Sequence, residues 1–551
     1  MGPDLKKYKW KFQCLLSTGS GQPKTGPESS IGNIGLTGNY SKQCSKRVRP
    51  QIPQNNIPGN FSLFCLLLVT ISVIGCSTAR ITGFDPAQKL DPGKMQRDFI
   101  LLKKILEANH PSLYWYTSKD SLDIYFNEAL AGMNDSLTEL QYKNKVSWFI
   151  SKINCGHTSV SVSKTYMEYA KDHPPARFPL VLKCWNDSLV VLGSMQRNDT
   201  VFKRGTIITS IDNRANRYII DSLFQYISTD GYSNNFKNQA VSFNFPQYYA
   251  YAFPVKDSML VGYTDSAGIN KTAYVKIYRP VKDTGKKPLM PPPPAPSRKE
   301  QKKIRLLSKR SLEYDSSNHL AYMRVATFST GKLKSFFRKS FREIEEKQVP
   351  DLVIDLRENT GGKINLSTKL ARYLKDTSFH VADTVAATSR SLKYARYLQP
   401  SLPFRLMMRF TTRKESDGKF HFKNLEQHYY KPYSNSHYNG RIYIIQGGYT
   451  FSAASMFVLQ LKGQQNVTVV GEETGGGNYG TSAVHLPSVI LPGTKIKVSL
   501  PLYRVVPDRT QVKDGQGIMP DVYVPPSSVA IKKGIDPKLE KVREIIRQKD
   551  K

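Results

Sequence analysis

The chain has 551 residues, 39% of them hydrophobic and 23% charged, with a formal net charge of +36 at pH 7. This length and apolar content exclude a disordered chain and allow about two to four domains. So basic a balance favours anionic surfaces such as lipid head groups or cell-envelope polymers; with no zinc-ligand spacing, RNP-like motif or helix-turn-helix, nucleic acid is not an expected partner.

Residues 1–60 are polar, rich in Gly, Ser, Pro and Asn, and lack a hydrophobic period. An apolar run, 61–75 (FSLFCLLLVTISVIG), follows Lys46-Arg47 and Arg49 and ends Gly75-Cys76-Ser77. The run is short for a membrane span and suits a signal-peptide core. It resembles a bacterial lipoprotein signal, which implies lipidation of Cys76; a plain membrane anchor or a buried cysteine is the alternative. Residues 1–76 are therefore expected to be a lead-in plus signal, and 77–91 a tether. Cys155 and Cys184 then remain in the mature chain, where one disulfide or two free thiols are both open.

From 92 to 160 the apolar spacing is helical, with Phe99, Leu102, Ile105 and Leu106 on one face. The segment ends Gly156-His157-Thr158, and alternation replaces the helical period. Residues 175–280 read as a β-rich module, opening with a hairpin turned at Asn186-Asp187. Its Arg204–Asn213 stretch resembles the end of a PDZ-type module, a class that binds chain ends by strand addition. Residues 281–303, with Pro291 to Pro294, form a linker. Residues 304–526 alternate strand and helix, predicting a βαβ core: strand 319–325, helix 332–347, strand 352–356, helix 363–374, strand 441–446 and strand 467–470. Residues 385–438 read as an irregular surface excursion, and 527–551 as a charged C-terminal helical segment.

Two glycine-rich turns follow strands of this core, Asp355-Leu356-Arg357-Glu358-Asn359-Thr360-Gly361-Gly362 and Gly471-Glu472-Glu473-Thr474-Gly475-Gly476-Gly477. Neither ends in the Gly-Lys-Ser/Thr of a phosphate loop, so no nucleotide cofactor is expected. Between them Gly447-Gly448-Tyr449-Thr450-Phe451-Ser452-Ala453-Ala454 joins a strand to a helix. A serine there is either a helix cap or an exposed nucleophile beside free backbone N–H groups. No His-Glu-x-x-His is present, so no metal is expected.

These motifs, in this order and followed by Gly517-Ile518-x-Pro520-Asp521, resemble the tail-specific (C-terminal processing) serine peptidases. The resemblance covers about residues 95–525. It implies an α/β protein with a crotonase-like (ClpP-like) β/α catalytic core, an N-terminal helical domain and the β-rich, PDZ-like insert. One branch of that family uses a lysine 25 residues after the serine; here that position is Gly477. The other branch, similar to the tricorn core and the retinoid-binding-protein repeats, uses a histidine in a Gly-His-Thr-like motif and a late acid. It implies Ser452 as nucleophile, His157 as base and Asp514 as acid, where the family usually has Glu. Glu472 and Glu473 are the next candidates for the acid. The backbone N–H of Ala453, with Gly361 or Gly362, would form the oxyanion hole. His110 is expected to be structural. The resemblance thus implies an exported, lipid-anchored serine endopeptidase acting on polypeptides in the bacterial cell envelope. A silent member binding peptides or hydrophobic ligands, and an esterase with the same residues, are the alternatives.

Overall fold

The computed structural model describes residues 83–280 and 295–550. Cys76, the apolar run before it and the polyproline run lie outside the described residues.

Three helices come first: α1 (Pro92–Asn109), α2 (Lys119–Ala131) and α3 (Glu139–Ser151). Each start has a chemical cause. Asp91 accepts from Lys94 N, with Pro92 at the first helical position. Ser118 caps α2, and Thr138 with Gln141 closes a capping box on α3. After α3 the chain turns through Asn154, at φ +55°, into strand β1 (Val160–Ser161).

The next module is more mixed than its expected β-rich character. Strands β2 (Leu180–Trp185), β3 (Ser188–Ser194) and β4 (Ile207–Ile211) precede helices α4 (Asn216–Phe224) and α5 (Asn235–Ala252). Strands β5 (Ser258–Thr264) and β6 (Asn270–Lys276) then complete an antiparallel β2-β3-β4-β5-β6 order. The hairpin at Asn186-Asp187 forms as expected, with Asn186 at φ +47°. Phe245 and Tyr249 of α5 are buried against Phe178, Leu180 and Leu182.

The main sheet is built from β7 (Arg310–Asp315), β8 (Leu320–Val325) and β9 (Asp351–Asp355), with α6 (Leu333–Glu346) between the last two and α7 (Ile364–Ala371) after them. The excursion expected over 385–438 is in fact partly ordered. It holds β10 (Thr384–Ala387), helix α8 (Ser401–Thr411), β11 (Arg413–Lys414) and β12 (Phe420–His421). Then come β13 (Arg441–Gln446), α9 (Ala453–Leu461), β14 (Val467–Gly471), β15 (Thr481–Ala483), β16 (Lys497–Ser499), β17 (Tyr503–Val506), β18 (Val522–Tyr523) and α10 (Pro537–Lys549).

The six-stranded order is β7-β8-β9-β13-β14-β18, parallel throughout except for β7. Such strands are covered on both faces, which explains the unbroken apolar runs of β9 and β13. Ile442 and Ile444 face Phe337, Phe341 and Phe457 of the helices, whereas Tyr443 and Ile445 face Val542 and Ile546 of α10. A second, antiparallel sheet runs β11-β12-β10-β17-β15. One hydrophobic cluster joins it to the N-terminal helices, with Phe99, Phe149 and Ile150 in common with Val385, Tyr503 and Val505. That packing brings the end of α3 and its Gly-His-Thr loop to β15.

Cys155 and Cys184 are both free and buried, so no disulfide joins the helical segment to the insert. Burial pushes both thiols up to about 12, and the Cys184 thiol donates to Asn238 instead.

Candidate active site

β13 is buried at the centre of the main sheet and delivers the chain to a turn fixed by hydrogen bonds on every side. Thr450 Oγ1 donates to Leu356 O and accepts from Gly447 N, while Phe451 N donates to Asn359 O. Gly475 N and Gly476 N both donate to Thr450 O. The two glycine-rich turns therefore hold the serine turn between them. Glycine is required where they close in: a Cβ on Gly476 would lie 2.2 Å from Ser455 Oγ, and one on Gly361, at φ +96°, would lie 2.7 Å from Ser452 Cβ.

Ser452 itself has φ +56° and ψ −124° and makes no cap hydrogen bond. The helix-cap alternative is thereby excluded by geometry. A non-glycine residue in this region costs on the order of 1–3 kcal/mol and persists only where surrounding bonds impose it. Here the strain aims Oγ away from the helix it precedes. Oγ lies 3.1 Å from Nε2 of His157.

His157 stands on the loop after α3. Its ring packs on Phe451, with centroids 4.7 Å apart. Gly156 leaves room for that ring, since a Cβ there would meet Phe451 Cζ at 2.6 Å. Behind the loop, His110 is buried, accepts from Ser112 N and bonds Thr158 Oγ1 at 2.9 Å. It is a structural histidine, and burial lowers it to about 3.

The second nitrogen of His157 does not meet Asp514. Nδ1 lies 3.2 Å from Oγ1 of Thr481, and that hydroxyl donates at 2.7 Å to Oδ2 of Asp230. Because the Thr481 proton is committed to the carboxylate, Thr481 accepts from Nδ1–H. The imidazole is then the tautomer whose Nε2 lone pair faces Ser452. Asp230 is buried and also accepts from Gly156 N at 2.8 Å. Burial raises its carboxyl to about 6 against the hydrogen bonds that lower it, and burial lowers His157 to about 4.

Asp514 is exposed, and its Oδ1 accepts from Gln516 N, so its carboxylate closes its own turn. Gly515, at φ +79°, fastens that turn by accepting from Tyr232 N. Neither alternative acid reaches the imidazole either. Glu472 pairs with buried Lys538, and Glu473 accepts from Gly517 N.

Of the expected oxyanion donors, Gly361 N is engaged by Asn359 Oδ1 at 2.9 Å. Gly362 N and Ala453 N have no acceptor among the described residues. The Asp-x-Arg-x-Asn pattern before these glycines is structural. Arg357 joins Asp355 to Asp536, and Asn359 ties the turn to Val325 O.

Asp230 and Thr481 escape sequence reading because both lie far along the chain from the loop they serve. A usable signal exists for each. Thr229-Asp230-Gly231 is a turn tripeptide inside the insert, and Thr481 follows Gly480 just beyond Asn478-Tyr479, which succeed the second glycine-rich turn.

A mixed α/β core presenting a strained serine against a neutral histidine has the architecture of a serine hydrolase. Residues 319–524 match the model of peptidase family S41; that part of the chain is similar to the tail-specific peptidases, and the protein is a serine-type peptidase. No curated relative matches the sequence. Among solved structures, mature CPAF is similar with a TM-score of 0.59 at 14% identity, over 83% of this chain and 97% of that one. The same protein complexed with lactacystin gives 0.58 over 83% and 98%, also at 14% identity. The photosystem II D1 C-terminal processing protease gives 0.39 at 13% identity over 82% and 97%.

Proposed function

We propose that the protein is an exported endopeptidase that cleaves envelope polypeptides through Ser452 and His157, held to the membrane by a lipid on Cys76. The observation that carries the mechanism is the continuous chain from Ser452 Oγ through His157 and Thr481 to Asp230. In this reading Nε2 of His157 takes the serine proton as Oγ attacks the scissile carbonyl, then returns it to the leaving amine. The imidazolium formed in between is stabilised through Thr481 by Asp230, and its orientation is held by the same bonds. Ala453 N and Gly362 N receive the oxyanion, each donor being worth on the order of 10²–10³ in rate. The parallel sheet with its crossover helices is read as the crotonase-like (ClpP-like) core. The 175–280 module is read as PDZ-like, presenting a substrate strand while lending Asp230 to the site.

The pH profile of casein or peptide hydrolysis tests this assignment. Both groups act unprotonated, so activity is lost as pH falls: first through about 6, where Asp230 takes a proton, then through about 4, where His157 does. The expected kcat/KM is level from neutral pH down to the upper limb. In Asp230→Asn the residual activity should keep only the lower limb. An acid limb that stays in place in that variant would assign it to another group and remove Asp230 from the mechanism.

A further inference from the structure

Residues 388–414 carry seven Lys/Arg and no Asp or Glu. Within them, α8 turns an apolar stripe outward. Leu402, Leu406 and Phe410 recur every four residues and are 62%, 47% and 81% exposed. The opposite face is anchored, with Met408 buried in the core and Phe404 packed 5.4 Å from the His485 ring. Arg405 and Arg409 sit three residues after Leu402 and Leu406 on the same helix, and Arg413 and Lys414 follow in β11, so cations flank the apolar row. All four are exposed, as are Arg390, Lys393 and Arg396. None of the seven pairs with a carboxylate of a described residue.

We propose that this face docks on an anionic lipid bilayer, with α8 lying in the plane of the head groups. Eleven residues at about 1.5 Å rise are far too short to cross a membrane. An apolar row flanked by cations is the pattern of a helix that lies at the interface. The row sinks its side chains below the head groups while the guanidinium groups meet phosphates, and each cation adds attraction within a Debye length of the surface. Charge decides between occupants. A second copy related by a two-fold axis would set seven like charges against seven others. Nucleic acid would satisfy the cations and leave Leu402, Leu406 and Phe410 without a partner. An anionic bilayer satisfies both. This proposal is independent of the peptidase mechanism and of the lipid on Cys76, because it rests on residues of α8 and its flanks alone.

Hydroxyl-radical footprinting of the full chain tests it, with phosphatidylcholine vesicles either plain or containing phosphatidylglycerol. The 61–75 run is able to bring the chain to vesicles by itself, so the readout is local labelling and not total binding. With anionic vesicles, labelling at Leu402, Leu406 and Phe410 is expected to fall several-fold, while exposed Phe243 in the insert stays as reactive as before. Protection should disappear in about 0.5 M salt, where screening is nearly complete, and in the triple variant Arg405→Gln, Arg409→Gln, Arg413→Gln. Unchanged labelling of α8 on a vesicle-bound chain would overturn the proposal. So would protection without vesicles that grows with protein concentration, which would assign the face to a second copy.

Discussion

Ser452→Ala and His157→Ala are each expected to lower kcat by on the order of 10⁴–10⁶, and the double variant by no more than either alone. The equality follows from the single hydrogen bond they share. Without Oγ the imidazole has no proton to move, and without Nε2 the hydroxyl keeps its proton and is a poor nucleophile. The strained backbone at Ser452 sharpens the comparison. In Ser452→Ala the new methyl side chain would inherit φ +56° with no chemical return, since the Thr450, Asn359 and Gly476 bonds that impose the turn do not involve Oγ. The folded structure should persist, and far-UV circular dichroism of the three variants should overlay that of the parent. Steady-state hydrolysis of one peptide by all four proteins makes the check. Losses that multiply in the double variant would show that the two side chains act in separate steps.

The second large effect concerns the acid. Asp230→Asn is expected to reduce kcat by about 10²–10⁴, whereas Asp514→Asn should remain within about twofold of the parent. An amide at 230 removes the charge that stabilises the imidazolium. It can also present N–H to Thr481, which reverses the hydroxyl and turns the His157 lone pair away from Ser452. Thr481→Val should act in the same direction by breaking the relay while leaving Asp230 bonded to Gly156 N. Asp514 offers no comparable path, because its carboxylate is exposed and engaged by Gln516 N. Measuring kcat and KM separately distinguishes the roles. A relay defect lowers kcat with KM little changed, whereas a displaced insert would raise KM as well. If Asp514→Asn proved the more damaging variant, the acid would be Asp514 and the turn at 514–516 would have to rearrange during turnover.

The candidate nucleophile Ser452 and candidate base His157 were legible because each sits in a short motif, and the structure brings their side chains within hydrogen-bond distance. Gly156 and Gly361 are glycines for reasons of contact with Phe451 and Ser452, so the pattern that flags them also locates the site. The parallel core was legible for a similar reason. Strands buried on both faces read as apolar runs, and the expected helix 332–347 is observed as Leu333–Glu346. Asp230 was invisible because only tertiary packing of the insert against the helical segment brings it to Gly156 and Thr481. Aspartate beside glycine in a turn is among the commonest local patterns, and nothing in it speaks of a hydroxyl 251 positions away. At 514 the family pattern places a late acid, but the carboxylate there closes its own turn onto Gln516 N. Residues 385–438 failed differently. Their strands are two to four residues long, too short to show alternation, so a segment that supplies β10, β11 and β12 read as irregular.

Every proposed step depends on Ser452 being a nucleophile activated by His157. Covalent capture tests it most directly: the folded full chain is treated with a fluorophosphonate probe and the modified residue located by peptide mass spectrometry. A single adduct on Ser452 is expected, formed slowly or not at all in His157→Ala. Labelling elsewhere, or an adduct on Ser452 that forms equally fast without His157, would contradict it.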